Sequence, residues 1–104
     1  MIAMKIFEEL KTIDTKLTLS KFSTDYLGMS RNYIFVKKHR DEDISNDALI
    51  NLYGTILLNV ETRSEIFFDR NLSTLSNNYL ERIKNLNKEI LSVIFDEIKR
   101  RSLN

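Results

Sequence analysis

The chain has 104 residues, 42% of them hydrophobic, and a net charge of +1 from 16 basic and 15 acidic side chains. This length suits a single domain with one continuous core, and the composition excludes the highly charged, apolar-poor class of disordered chains. The lack of cysteine excludes disulfides, thiolate metal sites and cysteine nucleophiles.

Chain breakers are almost absent, because there is no proline and glycine occurs only twice. This favours helices over hairpins and predicts an all-α helical bundle. Acidic residues appear by Glu8 and no apolar run reaches membrane-spanning length, so we expect no membrane partner and a cytoplasmic location. Abundant isoleucine, asparagine and lysine, as an AT-rich coding sequence produces, suggest a bacterial or mobile-element origin.

The first two helices are predicted from apolar residues spaced three and four apart. One helix is expected over residues 2 to 13. A second, short helix is expected to begin at Thr18 or Ser20, whose hydroxyls can cap it, and to end at Gly28, since glycine adopts the left-handed conformation that often follows a helix. The predicted buried residues are Ile2, Ile6, Phe7, Leu10, Ile13, Leu19, Phe22, Tyr26 and Leu27.

A third helix is predicted to begin at Arg31, with Ser30 as its N-cap, and to end in the charged run of residues 37 to 43. The long side chain of a lysine can cover apolar surface with its methylene groups, so one lysine is included on the inner face. The residues expected on that inner side are Met29, Tyr33, Ile34 and the aliphatic part of Lys37.

The fourth helix is predicted to have Ser45 as its N-cap and Asp47 in its first turn, where a negative charge suits the helix dipole. Gly54 lies inside this helix at a cost of about 1 kcal/mol relative to alanine, so we expect it to permit the close approach of another helix. Whether the helix continues through residues 65 to 68 is left open. Its predicted apolar stripe is Ala48, Leu49, Leu52, Tyr53, Ile56, Leu57 and Val60.

The longest series of apolar residues spaced three and four apart predicts a C-terminal helix from residue 72 or 73 to residue 101. Such a helix is on the order of 40 Å long, which is more than a small globule needs. Two interpretations remain open: the helix spans the core of the bundle, or it forms the seam of a homodimer. The residues predicted for the dimer interface are Tyr79, Ile83, Leu86, Ile90, Ile94 and Ile98.

Residues 19 to 38 follow the plan of a helix-turn-helix, in which two helices meet at a short turn that often contains glycine. Leu27, Met29 and Ile34 stand where that pattern is apolar. Thr24 replaces the usual small alanine, and Lys37 occupies a position that is usually apolar. We therefore describe residues 19 to 40 as a helix-turn-helix-like region.

The distribution of charge favours contact between this region and duplex DNA. Residues 1 to 40 carry a net charge of +4 and the other 64 residues a net charge of −3, and phosphate contacts need a local basic surface. Arginine can bond guanine, asparagine can bond adenine, and serine and lysine can hold phosphates. The residues predicted to bind DNA are Lys21, Ser30, Arg31, Asn32, Lys37 and Lys38.

One feature opposes that prediction: the acidic run of residues 41 to 43 follows the basic residues directly and would repel phosphates. An alternative interpretation is that the same residues form an ordinary solvated surface. The main alternative is a helical module that binds another protein through an exposed aromatic surface. The aromatic residues considered for it are Phe35, Phe67 and Phe68.

The run LSKFSTDYLGMSRNYIFVKKHRDEDISNDALINLYG, residues 19 to 54, resembles a set of uncharacterised small bacterial and phage-like proteins with a helix-turn-helix-like segment. The resemblance covers about a third of the chain and implies a fold without an activity. The matching elements are Phe22-Ser23, Leu27-Gly28, Ser30, Tyr33, Lys37 to Arg40, and Ser45 leading to Leu49 and Leu52.

Neither an enzyme nor a cofactor or metal site is predicted. Asp41, Asp43, Ser45 and Asp47 alternate along the chain as the first ligands of a calcium loop do. Asn46 and Leu52, however, stand where that loop requires glycine and glutamate. His39 is the only histidine, so a histidine cluster cannot form within one chain.

Overall fold

The structure, a computed structural model, describes the backbone of residues 1 to 70 and 75 to 103 and the side chains of residues 1 to 59 and 81 to 103. Within these residues the regular structure is helical, without strands, so the all-α prediction is confirmed. A π-helical turn, Phe22–Tyr26, follows the second helix. The helices are α1 (Ile2–Ile13), α2 (Leu19–Lys21), α3 (Tyr33–His39), α4 (Asn46–Arg70) and α5 (Leu75–Ser102).

The chain divides into two compact units, Met1–Leu52 and Tyr53–Asn104, and α4 contributes residues to both. In the first unit, α1 has the predicted bounds. The ring of Phe7 meets the ring of Phe22 edge to face, with 5.5 Å between centroids, an arrangement favoured by aromatic quadrupoles. The buried apolar residues of this unit are Ala3, Ile6, Phe7, Leu10, Leu17, Phe22, Leu27, Ile34, Ile44, Ala48, Leu49 and Leu52.

The second helix begins as predicted but widens after one turn. Thr18 is its N-cap, and the hydroxyl oxygen accepts a hydrogen bond from the backbone N–H of Lys21 at 3.2 Å. The N–H of Leu27 then donates to the carbonyl of Phe22, five residues back, and the N–H of Met29 donates to the carbonyl of Ser23, six residues back. The predicted α-helix therefore ends in a π-helical turn that closes at Gly28.

Gly28 has the predicted left-handed conformation, with a φ of 64°. The side-chain amide of Asn51 donates a hydrogen bond to the carbonyl of Leu27 at 3.0 Å. A β-carbon at residue 28 would lie 2.7 Å from Nδ2 of the same amide. The left-handed backbone conformation therefore favours glycine here, and a β-carbon would in addition displace the amide of Asn51.

The start of α3 differs from the prediction. The helix begins at Tyr33 instead of Arg31, and its N-cap is Asn32, whose side chain makes no capping hydrogen bond. Ser30 is therefore not the N-cap, although its carbonyl accepts a hydrogen bond from the N–H of Tyr33 at 3.1 Å. Arg31 and Asn32 form a turn between the bend and the helix.

One N–H group in the first turn of α3, that of Ile34, finds its partner in the preceding element. The hydroxyl of Ser23, which is fully buried, accepts a hydrogen bond from the N–H of Ile34 at 3.2 Å. At the other side of α3, the phenol oxygen of Tyr33 accepts from the N–H of Ser45 at 2.9 Å. Ser45 caps α4 as predicted, because its hydroxyl accepts from the N–H of Ala48. These bonds fix α3 between the bend and α4.

In the second unit, α4 continues through residues 65 to 68, the point that the sequence left open. A β-carbon at Gly54 would meet no atom of the described residues within 4 Å, so within the described part of the chain Gly54 does not serve the predicted close approach of another helix. Ile56 of the predicted stripe is buried, whereas Leu57 is exposed, and Val60 lies outside the described side chains. No helix among the described residues has the length and apolar character needed to cross a membrane.

Helix α5 confirms the predicted long C-terminal helix, and the proposed starts at residues 72 and 73 lie outside the described residues. Ile83, Ile90 and Ile94 of the predicted dimer interface are buried within the single chain. Leu86 and Ile98 are partly exposed, and Tyr79 lies outside the described side chains. The homodimer stays a prediction. Among the described residues predicted for its interface, Leu86 and Ile98 retain exposed surface for a second copy.

An ion-pair cluster closes the last turns of α5. The carboxylate of Glu97 accepts hydrogen bonds from the guanidinium groups of Arg100 and Arg101, in each case from Nε at 3.1 Å. The hydrogen bond from Arg100, followed by that from Arg101 and the charges of both, lowers the pKa of Glu97 to about 2, although burial opposes the shift.

The two glycines predict opposite responses to alanine. Gly28→Ala should destabilise the protein by at least about 1 kcal/mol, because a left-handed alanine is strained and the new β-carbon displaces the Asn51 amide. Gly54→Ala is the matched control and should stabilise by about 0.5–1 kcal/mol, since it is an exposed helix-interior position with free space. Urea unfolding followed by circular dichroism measures both, and equal effects would contradict the structure.

Ser23→Ala should lower the free energy of unfolding by about 1–3 kcal/mol, because it leaves the N–H of Ile34 buried without its partner. Ser92→Ala, at an exposed position of α5, is the control and should change stability by less than about 0.5 kcal/mol. A loss for Ser23→Ala no larger than that of the control would show that the buried hydrogen bond is not made.

The Glu97 cluster predicts a pH dependence of stability. Because the folded-state pKa of Glu97 is lowered below its ordinary value of 4.5, its contribution is complete above that value and is lost as the pH falls towards about 2. Glu97→Gln should remove this part of the acid sensitivity, measured by urea unfolding at a series of pH values. Glu89→Gln, at an exposed position of the same helix, should leave it unchanged.

Candidate nucleic-acid interface

A shallow groove of about 360 Å³ lies beside the bend in the first unit. Lys21 enters it from the end of α2, and Arg31 enters it from the turn that precedes α3. Three hydroxyl side chains complete the lining: Thr18, Ser20 and Thr24. The fold therefore brings together two of the residues predicted to bind DNA, although they are ten positions apart in the chain.

The cationic groups of the groove are available to a ligand. Lys21 and Arg31 are both exposed, and neither makes an ion pair within the described part of the chain. The single proton of the Thr24 hydroxyl has three acceptors within reach, the carbonyls of Ser20 and Lys21 at 3.3 Å and the carboxylate of Asp25 at 3.2 Å. Two cations beside one carboxylate leave a net positive charge, which suits a phosphate group.

Lys37 has contacts of its own and differs from the other predicted cations. Its ammonium lies 3.3 Å from the carboxylate of Glu42 and 5.7 Å from the ring centroid of Tyr33. Its side chain is 24% exposed, which agrees with the expected packing of its aliphatic part. A phosphate at Lys37 would have to compete with Glu42.

The acidic run after α3 is less repulsive than the sequence suggests. Glu42 is paired with Lys37. Asp43 accepts hydrogen bonds from the backbone N–H groups of Ile2 at 3.2 Å and Ile44 at 2.9 Å. Two of the three carboxylates are therefore engaged within the chain, so the repulsion expected from the sequence is reduced.

The remaining predicted contacts lie on or next to the outer side of α3. Ser30 and Asn32 are exposed in the turn, and Lys38 is exposed on the helix. Phe35 and Val36 are exposed as well, at 44% and 42%. Phe35 was predicted only as part of a surface for a protein partner, and the exposure of Val36 was not predicted. Both residues lie off the helical spacing that marks Tyr33, Ile34 and Lys37 as inward.

Ser23 has a structural role that was not predicted from the sequence pattern. It is fully buried, and its hydroxyl supports the start of α3. Its position beside Phe22 and four residues before Leu27 was a usable signal, since helical spacing places it on the inner side.

Within the described residues, no group of three histidine, aspartate or glutamate side chains is placed to hold a metal ion. The groove is instead lined by cations and hydroxyls, which are ligands for anions. The lining of the groove is therefore better suited to an anion than to a metal ion.

A family model with the description Family of unknown function (DUF6626) matches residues 4–101. No curated protein and no solved structure matches the chain. The match agrees with the resemblance to proteins of uncharacterised function, whereas the helix-turn-helix-like character of residues 19 to 40 stays a prediction. Because the model covers nearly all of its length, the chain belongs to the family of unknown function DUF6626.

Proposed function

We propose that this chain is a small helix-turn-helix-like regulatory protein that binds duplex DNA in the cytoplasm. The observation that supports the proposal most directly is the groove in which Lys21 and Arg31 come together with three hydroxyl side chains. In helix-turn-helix proteins the first helix crosses the DNA backbone and the residues at the start of the second helix contact bases. The groove lies between the end of α2 and the turn before α3, and we assign the proposed DNA contact to it for this reason.

The charges around the groove agree with this function. Lys21, Arg31 and Lys38 are exposed and have no ion pair within the described residues, so each can replace a counterion of the DNA. Lys21 and Lys38 would position the backbone, and Arg31 and Asn32 would reach base edges from the turn. Lys37 pairs with Glu42, and backbone N–H groups bond Asp43, so the acidic run repels DNA phosphates less strongly.

The second candidate is a protein-interaction module. The observation that favours it is the exposure of Phe35 and Val36 on α3, because apolar side chains at a surface often mark a protein contact. Phe67 and Phe68, which were also considered for this function, lie outside the described side chains. A preparation free of nucleic acid that recovers a specific protein partner would favour this candidate.

DNA binding predicts a salt-dependent affinity that specific variants change. In fluorescence anisotropy with a short labelled duplex, the logarithm of the affinity should fall linearly with the logarithm of the salt concentration. Lys21→Ala should reduce the steepness of that line by about 0.9, because one phosphate contact is lost. Arg31→Ala should weaken binding by about 1–3 kcal/mol on a preferred sequence.

The matched control is Lys5→Ala, which removes one exposed lysine of α1 that does not line the groove. It should leave both the affinity and the salt dependence close to those of the unmodified protein. Absence of binding at ~50 mM salt, where phosphate contacts are strong, would contradict the proposed function. Equal effects of Lys5→Ala and Lys21→Ala would show that the groove is not the site.

A further inference from the structure

The outer face of α3 combines apolar and cationic side chains. The helix has seven residues, so it is about 10 Å long. Ile34 is buried and Tyr33 and Lys37 are half-buried, which defines the inner side. Phe35 and Val36, 44% and 42% exposed, therefore lie on the outer side together with Lys38 and His39.

Two exposed cations lie close to this apolar pair along the chain. Lys38 is three residues after Phe35 and so neighbours it on the helix surface. Arg31 lies in the turn just before the helix, and it also lines the groove described above. Neither cation makes an ion pair within the described residues. The face is therefore suited to a ligand that is strongly anionic overall but presents apolar groups at its centre.

The face by itself is too small for a stable protein interface, so a protein partner would need additional surface outside α3. A stable protein interface buries roughly 800 Å² on each partner, and its centre is depleted of lysine. Two half-exposed side chains on a helix of about 10 Å provide far less surface than that. The major groove of duplex DNA is about 12 Å wide, admits one helix between two rows of phosphates, and exposes the 5-methyl group of each thymine.

We propose that Phe35 and Val36 contact thymine methyl groups, so that the protein prefers A·T-rich duplexes and distinguishes thymine from uracil. This inference rests on the proposed function, because it requires α3 to enter the major groove. It adds to that function the chemical group of the DNA that is recognised, which is the 5-methyl group of thymine. Burial of one methyl group corresponds to about fourfold tighter binding, and two methyl groups to more than tenfold.

The test uses two alternating duplexes of equal length, one of adenine and thymine and one of adenine and uracil. These differ only in the 5-methyl group, so their phosphates and base-pairing edges are the same. Anisotropy titrations at one low salt concentration should show at least about fourfold tighter binding to the thymine duplex. The double variant Phe35→Ala with Val36→Ala should bind both duplexes equally, because it lacks the side chains that contact the methyl groups.

Two controls separate the methyl contact from other effects. Ile50→Ala truncates an apolar residue of α4 that is 56% exposed, and it should keep the preference for thymine. Lys21→Ala should weaken binding to both duplexes by the same factor, because phosphate contacts do not depend on the base. Circular dichroism confirms that the exposed-residue variants remain folded.

The outcomes distinguish this inference from the function on which it rests. Equal affinity of the unmodified protein for the two duplexes would overturn the inference and leave DNA binding intact. A preference for thymine that survives in the double variant would also overturn it, since the methyl group would then act through the shape of the DNA. Failure to bind either duplex would overturn both the inference and the proposed function, in favour of a protein partner for α3.

Discussion

Asn51 holds the bend at Gly28 in place by donating its side-chain amide to the carbonyl of Leu27. The contact joins two elements that are more than twenty residues apart, and it leaves no space for a β-carbon at the bend. The left-handed glycine alone would allow the chain to turn, whereas the amide of α4 determines where the turn lies. The direction in which the chain leaves towards α3 depends on this contact.

The candidate site follows from that geometry. Lys21 precedes the bend and Arg31 follows it, so a bend held in one position brings both to the same groove. The buried hydroxyl of Ser23 then receives the N–H of Ile34, and the phenol of Tyr33 bonds the cap of α4. These contacts make α3 a fixed element of the first unit, and a fixed element is what a base-reading helix requires.

The functional proposal depends on the outer surface of this fixed element. A helix with only lysines outside would bind phosphates without selectivity, and one with only apolar side chains would favour a protein. The outer side of α3 has both, with Phe35 and Val36 exposed beside Lys38. Recognition of bases inside a phosphate-lined groove uses both kinds of contact, which is the reason to prefer DNA over a protein as the ligand.

The sequence by itself determined the features that depend on neighbours along the chain: the helical character of the described residues, the cap at Ser45 and the left-handed Gly28, whereas it left Thr18 and Ser20 as alternative caps of α2. Each follows from local conformational preference. Only the tertiary structure decided the features that depend on distant partners. The pairing of Ser23 with α3, the contact of Asn51 with the bend and the open space at Gly54 are of this second kind, because helical spacing predicts which side of a helix is buried but not what covers it.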